Sequence, residues 1–252
     1  MAFKSLNSDT EFTLFPSGFS SGLNTIPING LIWMGNEAFM KKQIQEKIEA
    51  GFRCIKMKIG AIDFEAELNL LKSIRKEFSE VDIELRVDAN GAFNPSEALE
   101  KLKRLSDFKL HSIEQPIKQG QIEEMAVLCK KTPLPIALDE ELIGVFSMTD
   151  KQNLLETIKP QFIILKPTLV GGFKGSEEWI EQANSLNIGW WITSALESNI
   201  GLNAIAQWTY TLNSKLPQGL GTGSLYTNNF DSPLTIQNGA LQYDVAKSWN
   251  VP

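Results

Sequence analysis

Histidine is almost missing from this sequence: His111 is the only one in 252 residues. That excludes His-based zinc clusters and argues against a Ser-His-Asp triad, since both need imidazole. Cysteine is nearly as scarce. Cys54 lies in an apolar run and Cys129 in a helical pattern, so they read as reduced, buried thiols and not as a disulfide framework. No apolar run approaches the roughly 20 residues that span a bilayer, and residues 1–30 lack the charged-then-apolar layout of a secretory signal. Cytoplasmic residence with no membrane partner is the expectation. A basic excess is absent too. The net charge is -6 with acids and bases intermixed, which removes the electrostatic footprint for a phosphate backbone and excludes nucleic acid as a partner.

What remains is the composition of a globular domain, 42% hydrophobic and 21% charged, in a chain long enough to bury a large core. Its regularity is a short apolar run followed by an amphipathic helix. Candidate strands are Asn29–Trp33, Arg53–Lys58, Glu84–Asp88, His111–Glu114, Pro135–Asp139, Phe162–Lys166, Gly189–Thr193 and Gln218–Thr222. Their last residues fall 25 to 30 positions apart, the length of one strand, one helix and two loops. The helices between them follow from 3.6-residue apolar spacing, as in Phe64, Leu68, Leu71, Ile74 and Phe78. Asn94-Pro95-Ser96-Glu97 supplies a cap, a first-turn proline and an acid at the positive helix end, and Gly51 stops the first helix. Eight near-equal units with right-handed crossovers predict an α/β fold closed into a TIM-like (β/α)7β barrel in preference to an open doubly wound sheet. The barrel is expected over residues 28–230. Residues 1–27 read as a helix end, Met1–Asn7, and a connector, and residues 231–252 as an irregular tail.

In such a barrel the carboxyl ends of the strands converge on the face that carries the active site. Five consecutive candidate strands finish on charge: Lys58, Asp88, Glu114, Asp139 and Lys166. Any one acid there is as readily a helix cap or a solvated loop residue as a ligand; five in succession form a constellation. Three carboxylates without imidazole or thiolate make an all-oxygen site for a hard cation, Mg²⁺ or Mn²⁺, with a small-molecule carboxylate substrate completing the octahedron. Without a cation they would raise one another's pKa. Lys58 and Lys166 flank the trio, and a lysine near a dication has its neutral form favoured, as a general base requires. Metal plus lysine suggests proton abstraction beside a carboxylate, through an enediolate. A Schiff base is the alternative for a strand-end lysine and would not need the three acids.

These residues stand in the motifs Lys56-Met57-Lys58, Arg86-Val87-Asp88-Ala89-Asn90, Glu114-Gln115-Pro116, Ala137-Leu138-Asp139-Glu140 and Lys166-Pro167. Taken in order and at barrel spacing, the chain resembles the enolase superfamily, in its muconate-lactonizing-enzyme subgroup, from about Asn29 to Asn229. The resemblance implies Asp88, Glu114 and Asp139 as metal ligands, with Arg86, Asn90 and Glu140 as supporting groups. It implies Lys58 as the acid/base, Lys56 orienting it, and Lys166 stabilising the enediolate from the opposite face. Within the subgroup the likeness is to dehydrating lyases, which implies syn elimination of water from a succinyl-hydroxy-cyclohexadiene carboxylate to give 2-succinylbenzoate in menaquinone biosynthesis. N-acylamino acid racemases and dipeptide epimerases are the in-family alternative, and a non-catalytic barrel fragment is another. The missing second histidine argues against the mandelate-racemase-like subgroup. Gly219-Leu220-Gly221-Thr222-Gly223 stands where dipeptide epimerases often carry Asp-x-Asp.

Further positions are read both ways. Ser194 and Ser198 either cap the following helix or aim donors at a substrate carboxylate. Gly221 and Thr222 allow close backbone approach to a ligand, or simply make a tight turn. His111 at the barrel bottom and Trp179, Trp190 and Trp191 read as packing residues, and Glu177-Glu178 as a solvated helix face. The superfamily carries an N-terminal capping domain over the barrel mouth. A helix end without a beginning at Met1–Asn7 fits a chain from which that domain is missing.

Overall fold

The computed structural model of the chain describes residues 12–250; the helix end read at Met1–Asn7 lies outside them. A first short strand, β1 (Thr25–Pro27), precedes a curled parallel sheet of seven strands in sequence order. These are β2 (Gly30–Ile32), β3 (Cys54–Lys58), β4 (Glu84–Asp88), β5 (Ser112–Glu114), β6 (Ile136–Leu138), β7 (Phe162–Leu165) and β8 (Gly189–Ile192). Helices connect them: α1 (Glu37–Glu49), α2 (Phe64–Glu77), α3 (Pro95–Ser106), α4 (Ile122–Lys131), α5 (Met148–Ile158), α6 (Gly172–Ser185) and α7 (Asn199–Thr211). The fold is a parallel α/β barrel, as the repeat predicts.

Local chemistry starts the helices where the sequence says. Asn94 Oδ1 accepts from Ser96 N at 3.1 Å, and Asn36 and Asp63 cap α1 and α2 in the same way. Gly51 takes φ +77° just beyond α1, in the left-handed region that glycine enters without a Cβ penalty. On α2, Leu68, Leu71 and Ile74 form the buried stripe with Leu70; each fully buried aliphatic contributes about 1.5–3 kcal/mol. The main core lies between the sheet and the helices. A separate small cluster of Ala137, Ile164 and Trp191, with Phe162 and Leu216 against it, fills part of the barrel interior. Because the strands are covered on both faces, they read as apolar runs and not as alternation.

Two expectations are corrected. The eighth strand, expected over Gln218–Thr222, shrinks to two parallel bridges, Ile28 with Gln218 and Thr193 with Gly219. Four backbone bonds close the barrel there: Asn29 N to Gln218 O at 3.0 Å, Gln218 N to Pro27 O at 2.9 Å, Gly219 N to Ile192 O at 2.8 Å and Ser194 N to Gly219 O at 3.0 Å. Strand structure stops there because Thr222 already opens a 3-10 turn, Thr222–Leu225. The segment read as an irregular tail contains a hairpin, β9 (Leu234–Gln237) and β10 (Ala240–Tyr243), and β10 also pairs with β1 inside the supposed connector. Its two-residue loop is Asn238-Gly239, both at positive φ, a pair favoured in tight hairpin turns.

The tryptophans pack as expected: Trp179 and Trp191 are buried, and Trp190 is partly buried against the core. The acids of Glu177-Glu178 both have partners. Glu177 accepts from Trp208 Nε1 at 3.0 Å, and Glu178 pairs at 2.7 Å with Lys151, a buried lysine over Trp179. Among the described residues, no helix is long and apolar enough to cross a membrane.

Candidate active site

Strand pairing sets the five charged strand ends side by side. Lys58 is in register with Asp88, and Asp88 with Glu114; Asp139 and Lys166 each directly follow a paired strand, β6 and β7. Lys56, two residues below Lys58, points the same way because strand side chains alternate. Lys56 Nζ lies 2.6 Å from Glu114 Oε2 and 3.2 Å from Asp88 Oδ2. Lys58 Nζ lies 2.7 Å from Asp88 Oδ2 and donates to Asn90 Oδ1 at 2.6 Å. On the far side Lys166 donates to Asp139 Oδ2. Asn90, at φ +44°, donates its backbone N–H to Asp88 Oδ1 at 3.1 Å and its Nδ2 to Glu140 Oε1 at 2.9 Å. The structure therefore joins Lys56, Lys58, Asp88, Asn90, Glu114 and Glu140 in one network, and Asp139 to Lys166.

Arg86 is not in that network. Its Nε donates to Glu84 Oε1 at 2.7 Å, one Nη donates to Pro217 O at 3.0 Å, and the guanidinium lies 4.2 Å from the Trp191 ring centroid. Expected as a supporting group at the carboxylates, it serves the barrel floor, one side-chain layer lower. His111 shares that floor, 4.7 Å from the Phe162 ring with Nδ1 on Ser112 Oγ at 3.0 Å.

Charge is tightly balanced in the upper layer. Burial works to raise the Asp88 carboxyl, but the Lys56 and Lys58 ammoniums outweigh it and hold the group well below the usual carboxylate range. Glu114 goes the other way: burial, then the Asp88 charge, lifts it well above its ordinary value. Lys166 is raised, because Asp139 and Glu114 outweigh a burial effect of opposite sign. The expectation that a neighbouring dication would favour neutral lysine has its counterpart here, with carboxylates favouring the ammonium.

Among the described residues, no group of three or more His, Cys, Asp or Glu side chains is arranged to hold a metal. Lys56 bridges Asp88 and Glu114, while Lys58 and Lys166 each pair with one carboxylate. The donor set nevertheless fits a hard cation. Glu114 Oε1 and Glu140 Oε2 are buried acceptors without a hydrogen-bond partner, which a cation held between the carboxylates would satisfy.

Over this layer lies a cavity of about 1060 Å³, lined by Lys56, Lys58, Glu114 and Lys166 and also by Ser194, Gly221 and Thr222. Ser194 and Thr222 hydroxyls bond each other. Ser198 is not among the lining residues and makes no side-chain cap bond on α7; Asn199 N is taken by Asn229 Oδ1 at 2.8 Å instead. Neither serine caps the helix. The sequence reading missed Leu31, Trp33, Leu169 and Leu196, which supply apolar wall. Leu31 is in register with Lys56, so strand parity alone carried a signal for it and for Trp33.

A family model described as "Enolase C-terminal domain-like" matches residues 39–246. The chain belongs to this family of barrels. It is 56% identical over 241 residues to the o-succinylbenzoate synthase of Desulfotalea psychrophila, covering 96% of this chain and 65% of that protein. The crystal structure of MenC from Desulfotalea psychrophila LSv54 matches with a TM-score of 0.89 at 54% identity, over 95% of this chain and 66% of that one. An L-amino acid-D/L-Glu epimerase of Francisella philomiragia is 31% identical over 185 residues, 73% of this chain and 51% of that protein. The chain thus spans just under two thirds of the first relative's length.

Proposed function

We propose that the chain is the catalytic barrel of a carbon–oxygen lyase of the o-succinylbenzoate synthase type, acting in menaquinone biosynthesis in the cytoplasm. The supporting observation is the pair of lysines on opposite flanks of the carboxylates, Lys58 on Asp88 and Lys166 on Asp139, both lining one cavity. The 56% identity to a synthase favours dehydration over epimerisation.

Asp88, Glu114 and Asp139 would hold Mg²⁺ or Mn²⁺, with Asn90 and Glu140 supporting them. When bound, the ion supplies Lewis-acid stabilisation of charge on the substrate carboxylate. Lys58, as the free amine, takes the proton from the carbon next to that carboxylate. Lys166, as the ammonium, stabilises the enediolate across the ring. Lys58 then returns its proton to the hydroxyl on the same face, which leaves as water while the C–O electron pair departs with it, and the ring becomes aromatic. Lys56 sits between Asp88 and Glu114 and holds the base and ligands in register. Ser194, Gly221 and Thr222 would receive the substrate's second polar end; Ser198 would act only through α7. Residues 28–230 form the catalytic unit in this reading, with the β9–β10 hairpin beside it, and a capping domain supplied outside the described residues would cover the mouth.

The test is an assay of the chain with Mg²⁺ against the cyclohexadiene substrate and, in parallel, N-acyl amino acids and dipeptides. Dehydration should dominate; racemisation without dehydration would transfer the chain to the epimerase class. Asp139→Asn should abolish most Mg²⁺ affinity in calorimetry and leave the circular dichroism spectrum intact, and unchanged affinity would refute the ligand assignment.

A further inference from the structure

Beneath Asp139 lies a buried polar clamp that none of the site residues above includes. Gln115, fully buried, follows Glu114 at φ +37°, a left-handed conformation uncommon for a residue other than glycine and enriched where surrounding structure imposes a functional geometry. That turn swings its amide under the end of β6. Gln115 Oε1 accepts from Asp139 N at 3.2 Å and, at 3.4 Å, from Glu141 N. Gln115 Nε2 donates to Ile117 O at 3.1 Å and to Glu141 Oε2 at 2.9 Å. The other Glu141 oxygen accepts from Gly120 N at 2.7 Å. The backbone of Asp139 is thereby tied to the loop leaving β5, the strand that carries Glu114.

We infer that Gln115, locked by Glu141, is a positioning residue that sets the Asp139 carboxylate relative to Glu114. Both acids sit at strand ends, and strand pairing stops at Glu114 on β5 and at Leu138 on β6. A side-chain amide reading the N–H groups at 139 and 141 fixes their relation in a way that strand pairing no longer can. Partners that orient a metal-binding group contribute about 10–100-fold to affinity when they are well formed. The inference rests on the proposed metal site, but its readout does not depend on turnover.

The experiment measures Mg²⁺ affinity of the full chain by calorimetry, with the melting temperature recorded alongside. Gln115→Leu removes every clamp bond at similar volume and should weaken Mg²⁺ binding about 10–100-fold. Gln115→Glu sets two carboxylates against each other and should weaken binding as well. The double variant Gln115→Glu with Glu141→Gln exchanges donor and acceptor across the 115–141 bond and keeps an acceptor for the 139 and 141 N–H groups but loses the donor to Ile117 O, so it should recover part of the affinity lost in Gln115→Glu. A purely structural clamp would lower the melting temperature of Gln115→Leu and leave affinity unchanged, which overturns the inference. Folded double variant without recovered affinity overturns it too, and decides the matter if Gln115→Leu does not fold. Wild-type chain that binds Mg²⁺ but does not dehydrate the substrate would sink the proposed function while these variants still judge the clamp; wild-type chain that binds no Mg²⁺ overturns the clamp's role.

Discussion

At the floor of the barrel Arg86 meets Glu84 with Nε and an Nη group, each at 2.7 Å, gives its other Nη to Pro217 O, and covers its face with Trp191. Two residues further up the same strand Asp88 begins a layer of a different kind, in which Asp88, Glu114, Asp139 and Glu140 face Lys56, Lys58 and Lys166. The floor pairs one acid with one base under an aromatic ring, and the buried atoms it leaves without a hydrogen-bond partner are donors, one Arg86 Nη and Trp191 Nε1. The upper layer has one more carboxylate than ammonium and leaves Glu114 Oε1 and Glu140 Oε2 without donors. A buried charge with its partner in place makes loss of either partner costly, whereas charge left short of partners is poised to take one from outside. The same strand thus carries a structural residue and a functional one a single side-chain repeat apart.

The comparison is tested most severely at the upper layer. Lys58→Ala should lower turnover roughly 10²–10⁴-fold while Mg²⁺ affinity, followed by calorimetry, stays near wild type. Strong loss of Mg²⁺ binding on removing this ammonium would erase the division between acid/base and ligand.

At the floor the expected loss is of stability. Arg86→Met leaves Glu84 facing an apolar side chain and should destabilise by about 3 kcal/mol in urea unfolding, near the low end for a broken buried pair because Glu84 keeps some solvent contact. Its Mg²⁺ affinity should not change. The reverse pattern, weakened ion binding at unchanged stability, would move Arg86 back among the groups that serve the carboxylates.

The smallest effect concerns His111. Burial lowers its pKa, with Glu84 opposing and Arg86 assisting. A ring whose folded pKa lies below the unfolded one leaves the unfolded chain binding more protons, so its contribution is present at neutral pH and is lost as pH falls through about 6.5. The melting temperature should drop between about pH 7.5 and 5.5, and less so in His111→Phe. An equal drop in both proteins would remove His111 from the floor's charge balance.

Much of this was legible beforehand because a parallel barrel writes its architecture as a repeat. The placement of Lys58, Asp88, Glu114, Asp139 and Lys166 at one end of the sheet follows from the strand ends alone. Arg86 shows the limit of that signal. Parity along β4 says that Arg86 and Asp88 share a face, but not how high each side chain reaches; that depends on Glu84 and Trp191, which come from the same strand and from one far along the sheet. Gln115 was hidden for a related reason, since its turn at positive φ redirects the side chain in a way that no periodicity encodes. The β9–β10 hairpin is different. Asn238-Gly239 between Leu234, Ile236 and Leu241 is a readable turn signal in the sequence.

The seam at Ile28 and Gln218 has a kinetic consequence. It joins the first and last strands of the barrel through a handful of bonds, and the antiparallel pairing of β1 with β10 fastens the same two ends of the chain. Contacts between residues so distant in sequence must meet a large loop-closure entropy before they return any energy, whereas each neighbouring strand–helix unit closes a short loop. The entropic cost of closure therefore falls most heavily on the seam and least on the neighbouring strand pairs of the sheet. Thr222, bonded to Ser194, belongs to the short segment beyond that seam, so the cavity depends on the contacts that close the longest loop in the barrel.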